Sequence, residues 1–444
     1  LTNVRIPREW MLAKNQQLQP DGTYDKKAKG SGGGGGKAQY TTMLTIRSGL
    51  VMGAGYRLAQ AVTIACRYSC VRHQGFADTV SEDKGRLAPE RPIIDYQNQQ
   101  LRLFKQLATA YAMIFTGKMI GAQLQQVMED VSKGDEADLA GLHGISSGLK
   151  ALCTFDGAAG MEDCRKACGG HGVLLASGIG PMALDYVTYN TAEGDMILLM
   201  LQSARFLLKM LGNARGGQTV QGLAAYVNDH RSRPALTSPC RTADEWQSLD
   251  QIQSLFRARA LDAVLEADER LQELISQQGR SFDEGWNACA VDLVRCSRAH
   301  CYYVLQATFA HSIESCEDGP VKKALSALCR LYGLVNISED MGSFEFSAEQ
   351  KRGVRAAIRQ ALLEIRPDCI ALTDAFEFSD NTLNSAIGRY DGRVYEALYE
   401  SAKASPLNRQ DPFPGYEQHL RPILDLEFLR ENKSKQRSGH NAKL

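Results

Sequence analysis

Between residues 167 and 209 the chain carries the side chains best suited to chemistry. Ala167-Cys168-Gly169-Gly170-His171-Gly172 is followed, about twenty residues on, by Thr191-Ala192-Glu193-Gly194-Asp195 and then by a strongly apolar run from Met196. Glu193 stands at the mouth of a helix expected over residues 191–211, between the aromatic stretch 186–189 and the apolar stretch 196–201. Desolvation makes a carboxylate a stronger base, suited to a weakly acidic C–H proton. An acidic residue in a helix's first turn also suits the dipole, with Thr191 as cap and Asp195 helping. Gly169 and Gly170 end the preceding helix and leave room for a cofactor to lie on the backbone. The stretch points to proton removal beside a bound cofactor.

Other residues admit two readings. Arg72, in Val71-Arg72-His73-Gln74-Gly75-Phe76, stands at a helix end, where a cation is favourable, and could equally pair with a diphosphate. Gln97, in Asp95-Tyr96-Gln97-Asn98-Gln99-Gln100, has the same ambiguity. Cys164, Cys168 and His171 have metal-capable side chains, but a structural zinc site takes four ligands and no fourth is signposted, so no metal is expected. Residues 26–37 contain five consecutive glycines, Gly32 to Gly36, followed by Lys37-Ala38. A phosphate-binding loop needs Lys-Ser/Thr there, so this segment reads as a flexible connection.

These residues need a helical frame. The 444-residue chain is long enough for two or three domains. Lys+Arg and Asp+Glu are equal at 51 each, which gives no charge argument for nucleic acid or an anionic membrane. No apolar run is long enough for a membrane span. Twelve cysteines scattered through helical segments suit a reducing compartment. Helical spacing of apolar residues predicts helices over 40–72, 94–131, 139–168 and 191–211, an antiparallel four-helix bundle. Further helices are expected over 242–278, 285–314, 321–332, 348–376 and 390–401. The fold class is mostly α. Residues 1–39 read as the tail of a β domain plus a Gly-rich linker, 40–217 as the bundle, and 218–444 as a second helical domain. The chain opens on Leu1 without an evident first element and reads as lacking its natural N-terminal part.

Taken together the motifs resemble the peroxisomal acyl-CoA oxidases, relatives of the acyl-CoA dehydrogenases. The matching text includes Asn3-Val4-Arg5-Ile6-Pro7-Arg8-Glu9, Cys66-Arg67-Tyr68-Ser69-Cys70-Val71-Arg72-His73-Gln74, the glutamine-rich run at 97–100, Gly148-Leu149-Lys150-Ala151, Cys164 to Gly172, and Glu193-Gly194-Asp195 with Leu201 to Leu207. The resemblance implies that Glu193 removes the α-proton of a fatty acyl-CoA while a hydride passes to FAD, which O2 reoxidises to give H2O2. It implies that a backbone N–H at the glutamate polarises the thioester carbonyl. Arg72, Gln97, Gly169 and Gly170 match positions that hold the FAD adenine and diphosphate, often across a homodimer interface. Two departures stand beside the base: Ala192 where the family has an aromatic residue, and Met196 where it has asparagine. They are expected to alter affinity or chain-length choice. The ending Ala442-Lys443-Leu444 resembles a peroxisomal address read by an import receptor. The competing readings are an acyl-CoA dehydrogenase serving an electron-transfer flavoprotein, and a non-catalytic helical partner subunit.

Overall fold

The computed structural model describes residues 2–11, 13, 17–25, 38–76, 89–135, 137–425, 427 and 430. The glycine-rich run 26–37 and the C-terminal tripeptide 442–444 therefore fall at or outside its edges. Before the helices lies a small antiparallel hairpin, β1 (Gln17–Leu18) with β2 (Tyr24–Asp25), turned at Gly22.

Four long helices follow: α1 (Ala38–Val71), α2 (Gln97–Ser132), α3 (Leu139–Ala167) and, after the short α4 (Ile179–Tyr186), α5 (Met196–Arg215). A two-stranded ribbon, β3 (His73–Phe76) with β4 (Glu90–Pro92), links α1 to α2. Successive long helices run antiparallel. Gly117 of α2 lies against Met52 of α1, and near the opposite ends Gln99 of α2 bonds Ser69 of α1. A Cβ on Gly117 would sit 2.5 Å from that of Met52, so a small residue is what lets these two helices touch. Arg102 of α2 pairs with Asp163 of α3 at 2.7 Å. Gly144 and Gly148 of α3 take Phe206 and Ser203 of α5. The alternation leaves α1 and α3 packed directly on each other and pointing the same way.

The start of the fourth expected helix moves. The helix expected over 191–211 begins at Met196, because the Asp195 carboxylate accepts from the N–H groups of Ile197 (2.9 Å) and Leu198 (3.3 Å) and so is the N-cap. Thr191 does not cap it; its hydroxyl bonds Thr188 O. Glu193 consequently lies outside the helix, in the turn before it.

The second half contains α6 (Leu249–Ser276), α7 (Phe282–Ala288), α8 (Ala290–Glu314), α9 (Pro320–Glu339), α10 (Ala348–Ile365), α11 (Cys369–Asp374), α12 (Asp380–Leu383) and α13 (Val394–Ala404). Where one helix was expected over 348–376 there are two, separated by a tight turn at Arg366-Pro367-Asp368, since proline cannot continue the ladder. The helix expected over 321–332 runs on to Glu339, and a capping box of Ser281 with Glu284 starts α7. The chain ends its described part with α14 (Arg421–Leu424). α8 packs on α2, α3 and α5, so the apolar core runs across residue 217 without a break. Phe115 of α2 meets Phe309 of α8 at 5.4 Å between ring centroids, and Tyr111 meets Phe376 at 4.8 Å. Arg67 of α1 ties down the later chain by donating to Asp374 (2.7 Å) and to Gly388 O (3.0 Å).

Candidate active site

Glu193 holds a left-handed backbone, φ +62°, and Gly194 follows at φ +119°. Such a conformation costs a non-glycine residue on the order of 1–3 kcal/mol and persists only where the surroundings fix it. Here the fixing groups are cations. Arg47 of α1 donates from Nε to Glu193 O (3.2 Å), and Lys150 of α3 donates from Nζ to Gly194 O (2.8 Å). Arg47 is itself anchored by Ser147 Oγ (3.1 Å), whose proton goes to His143 O (2.7 Å). Lys150 is 0% exposed. Burial first, then Arg47, pushes its amine down to about 8, against the opposing pull of Glu193 and Asp195. Burial likewise pulls the Arg47 guanidinium below its usual value, with Glu193 opposing, and lowers His143 with help from Arg47.

With its carbonyl occupied, Glu193 keeps two groups free. Among the described residues its carboxylate has no hydrogen bond or ion pair, and its N–H has no acceptor. The side chain is half-buried. Leu184, Val187, Ile197 and Leu198, flanking the turn in sequence, are exposed, while Met196 packs against the core and Ala192 is half-buried. A cavity of about 230 Å³ lies nearby between Leu50, Tyr56, Arg57, Gln60, Tyr186 and Tyr189. A larger one, about 630 Å³, lies between α6, α8 and α9 around Arg259 and Arg298 and includes none of the turn. Among the described residues the turn thus offers an unspent acceptor and an unspent donor from one residue, flanked in sequence by apolar side chains. That pairing suits abstraction of a proton from carbon beside a carbonyl.

The glycine pair is elsewhere. From Lys150 to the end of α3 the helix climbs roughly 25 Å, and from Arg47 to the end of α1 roughly 36 Å. Because α1 and α3 are parallel, Arg72 and Gly169-Gly170 meet at the far end. There Tyr68 OH lies 2.8 Å from His171 Nδ1, and Tyr395 of α13 stands over the His171 ring. Arg72 donates to Tyr395 OH (3.2 Å) and to Gln74 Oε1 (2.7 Å). Gly169 is left-handed at φ +58°, and a Cβ on Gly169 or Gly170 would project into open space. The tightly packed member of the cluster is Gly172, whose Cβ would fall 2.1 Å from Arg165 O. Gln97 lies exposed in the first turn of α2, and no hydrogen bond links its side chain to this corner among the described residues. Gln99 is the glutamine that reaches it, donating to Ala167 O at 2.8 Å. Cys164 and Cys168 are buried, and all twelve cysteines are unpaired.

Sequence reading missed Arg47, Lys150 and Gln99. The available signal was a cation in the small and apolar run Gly148-Leu149-Lys150-Ala151-Leu152, where a solvated lysine is out of place.

Comparison with known proteins agrees with this layout. Residues 40–208 match the family described as acyl-CoA oxidase, C-alpha1 domain, and residues 248–425 match the family described as acyl-CoA oxidase. Peroxisomal acyl-coenzyme A oxidase 1 of Mus musculus is 41% identical over 430 residues, covering 95% of this chain and 63% of the relative; the Homo sapiens protein of that name is 39% identical with the same coverage. The chain therefore spans less than two thirds of the length of these relatives. Among solved structures, Arabidopsis thaliana acyl-CoA oxidase 1 superimposes with a TM-score of 0.86 at 34% identity, covering 95% of this chain and 62% of that one. Acyl-CoA oxidase-2 of Caenorhabditis elegans, solved with FAD, ascaroside-CoA and ATP, gives 0.84 at 34% identity, covering 98% and 62%. With both helical regions matched in order and the chain aligned almost throughout, this protein belongs to the acyl-CoA oxidase family.

Proposed function

We propose that this chain is the helical part of an FAD-dependent acyl-CoA oxidase that converts fatty acyl-CoA to trans-2-enoyl-CoA and reduces O2 to H2O2. The observation that carries the reading is Glu193: among the described residues, a carboxylate without a partner and a free N–H on one residue, on a backbone pinned by two cations. Glu193 takes the α-proton of the thioester onto its carboxylate. Its N–H donates to the thioester oxygen, where charge develops as the proton leaves. The half-buried turn with its exposed leucines and isoleucine gives an acyl chain apolar surface and limits water around the base. FAD held by the residues described next would supply the acceptor for the hydride from the β-carbon and the route of its electrons to oxygen.

The far corner fits the dinucleotide by its donor set. Arg72 offers a guanidinium, and Gly169 and Gly170 present backbone under open space. Gln97, exposed at the start of α2, would be the outermost contact of the dinucleotide. The two corners lie roughly 25 Å apart along α3. That separation favours a homodimer in which Glu193 of one chain and the glycine corner of its partner serve the same flavin. The names of the relatives and the ending Ala442-Lys443-Leu444 support a peroxisomal location through an import receptor.

The test uses the complete flavin-loaded protein under anaerobic conditions. Glu193→Gln is expected to keep FAD and bind acyl-CoA, yet to slow bleaching of the flavin by at least about 10²–10⁴-fold. Bleaching at the normal rate would place the base elsewhere. In air, the unaltered protein should make one H2O2 per acyl-CoA consumed; acyl-CoA oxidation that needs an electron-transfer flavoprotein and yields no peroxide would favour a dehydrogenase.

A further inference from the structure

A lysine with no exposed surface is expensive, and α3 carries one at a position where leucine or methionine would pack. Removing an ammonium from water costs several kcal/mol unless it is paired and hydrogen-bonded. Lys150 has no carboxylate within salt-bridge distance among the described residues; its hydrogen-bond acceptor is a neutral carbonyl, Gly194 O at 2.8 Å. Stability of the bundle alone does not account for such a choice.

The carbonyl it takes belongs to the strained turn. Glu193 at φ +62° and Gly194 at φ +119° could relax by rotating the peptide planes that carry the Glu193 and Gly194 carbonyls, which would shift the Glu193 Cα and with it the direction of its side chain. Arg47 blocks rotation at one carbonyl and Lys150 at the next. The two cations come from α1 and α3, Arg47 bonding the backbone of Glu193 and Lys150 that of Gly194. Leu199 closes the remaining side: a Cβ on Gly194 would lie 2.8 Å from its Cδ2.

We propose that Lys150, acting with Arg47, is a positioning residue that holds the Glu193–Gly194 backbone in its left-handed form, so that carboxylate and N–H are presented together to the thioester. The inference rests on Glu193 being the base. Lys150 itself does not touch the reacting atoms. Its effect is therefore on the rate of proton removal rather than on substrate affinity, since a misplacement of about 1 Å costs on the order of 10²-fold in rate.

The test compares Lys150→Met, Lys150→Gln, Arg47→Met and Glu193→Gln in the complete FAD-loaded protein, using whichever of octanoyl-CoA and palmitoyl-CoA reduces the unaltered flavin faster. Anaerobic stopped flow gives the limiting rate of flavin reduction and the apparent Kd separately. Lys150→Met is expected to lower the limiting rate about 10- to 100-fold, with Kd changed less than about threefold and flavin content and Tm retained. Lys150→Gln, which keeps an N–H donor on a shorter stem, should lose less. Arg47→Met should reproduce the rate effect if Lys150→Met does not fold. A normal limiting rate in folded Lys150→Met, or a loss that tracks flavin content or Kd instead, overturns the positioning role. If Glu193→Gln is dead while Lys150→Met is normal, only this inference falls; if Glu193→Gln is normal, the reading of the base falls first.

Discussion

At the scale of single residues, the turn before α5 shows how an acid is prepared for use by spending its backbone rather than its side chain. Glu193 gives its carbonyl to Arg47, Gly194 gives its carbonyl to Lys150, and among the described residues the carboxylate is left unengaged. Gly194 is required twice over, by φ +119° and by Leu199. Gly194→Ala should therefore cost on the order of 1–3 kcal/mol, read as a lower Tm, and slow flavin reduction in the same protein. A variant with unchanged Tm and rate would show that the turn tolerates a Cβ. The proposed base was a candidate from the sequence alone, because a lone carboxylate before an apolar helix is a local pattern. Its supports were not. Arg47 and Lys150 reach the turn from 146 and 44 residues away, and both bond backbone oxygen, which no side-chain pattern records. The same limit separates Gln97 from Gln99: the run of polar residues is visible, but only the register of α2 against Ala167 says which glutamine faces inward.

At the scale of elements, α1, α2 and α3 were legible to within a few residues because their apolar spacing is regular, whereas α6 starts later, at Leu249, and α9 ends later, at Glu339, than expected. Two further departures fall where a single residue overrides that spacing. Asp195 moves the start of α5 by capping it, and Pro367 divides the expected helix over 348–376. Asp195→Ala should lower stability by about 1 kcal/mol through loss of the two N-terminal hydrogen bonds. Because α5 begins three residues after Glu193, fraying of its first turn should also loosen the proposed base. Thermal melts followed by flavin-reduction kinetics check both effects, and Asp195→Ser should recover most of each. Direction of packing was legible only in part: alternating helices imply antiparallel neighbours, but nothing local says that α1 and α3 would touch.

At the scale of the whole molecule, the two helical halves are joined by a continuous core and by a few buried polar contacts. One of these is sensitive to pH. Asp156 of α3 accepts from Tyr302 of α8 at 3.1 Å, and burial raises its carboxyl to about 6 despite that hydrogen bond and the Arg298 and Lys105 charges. The folded state therefore holds a proton that the unfolded chain has already lost above its ordinary value of 3.8. Stability from this group is present at low pH and is lost as pH rises from about 4 to about 6. Asp156 also borders a cavity between the halves, so the effect is set at on the order of 1–2 kcal/mol, below the full equivalent of the shift. Asp156→Asn should flatten the dependence of unfolding free energy on pH across that window and be no less stable than the unaltered protein at pH 7. An unchanged slope would remove Asp156 as its source.

The parallel course of α1 and α3 reaches beyond the single chain. Each copy carries the proposed proton acceptor at one end of these helices and the proposed dinucleotide grip at the other. In the proposed dimer, neither copy owns a reaction centre; each lends one half to two. A copy damaged at the Glu193 end and a copy damaged at the Gly169 end would then assemble into a pair with one intact centre. Two copies damaged at the same end would leave both centres defective. The packing of two helices thus sets which defects complement one another and which do not when different alleles are expressed together.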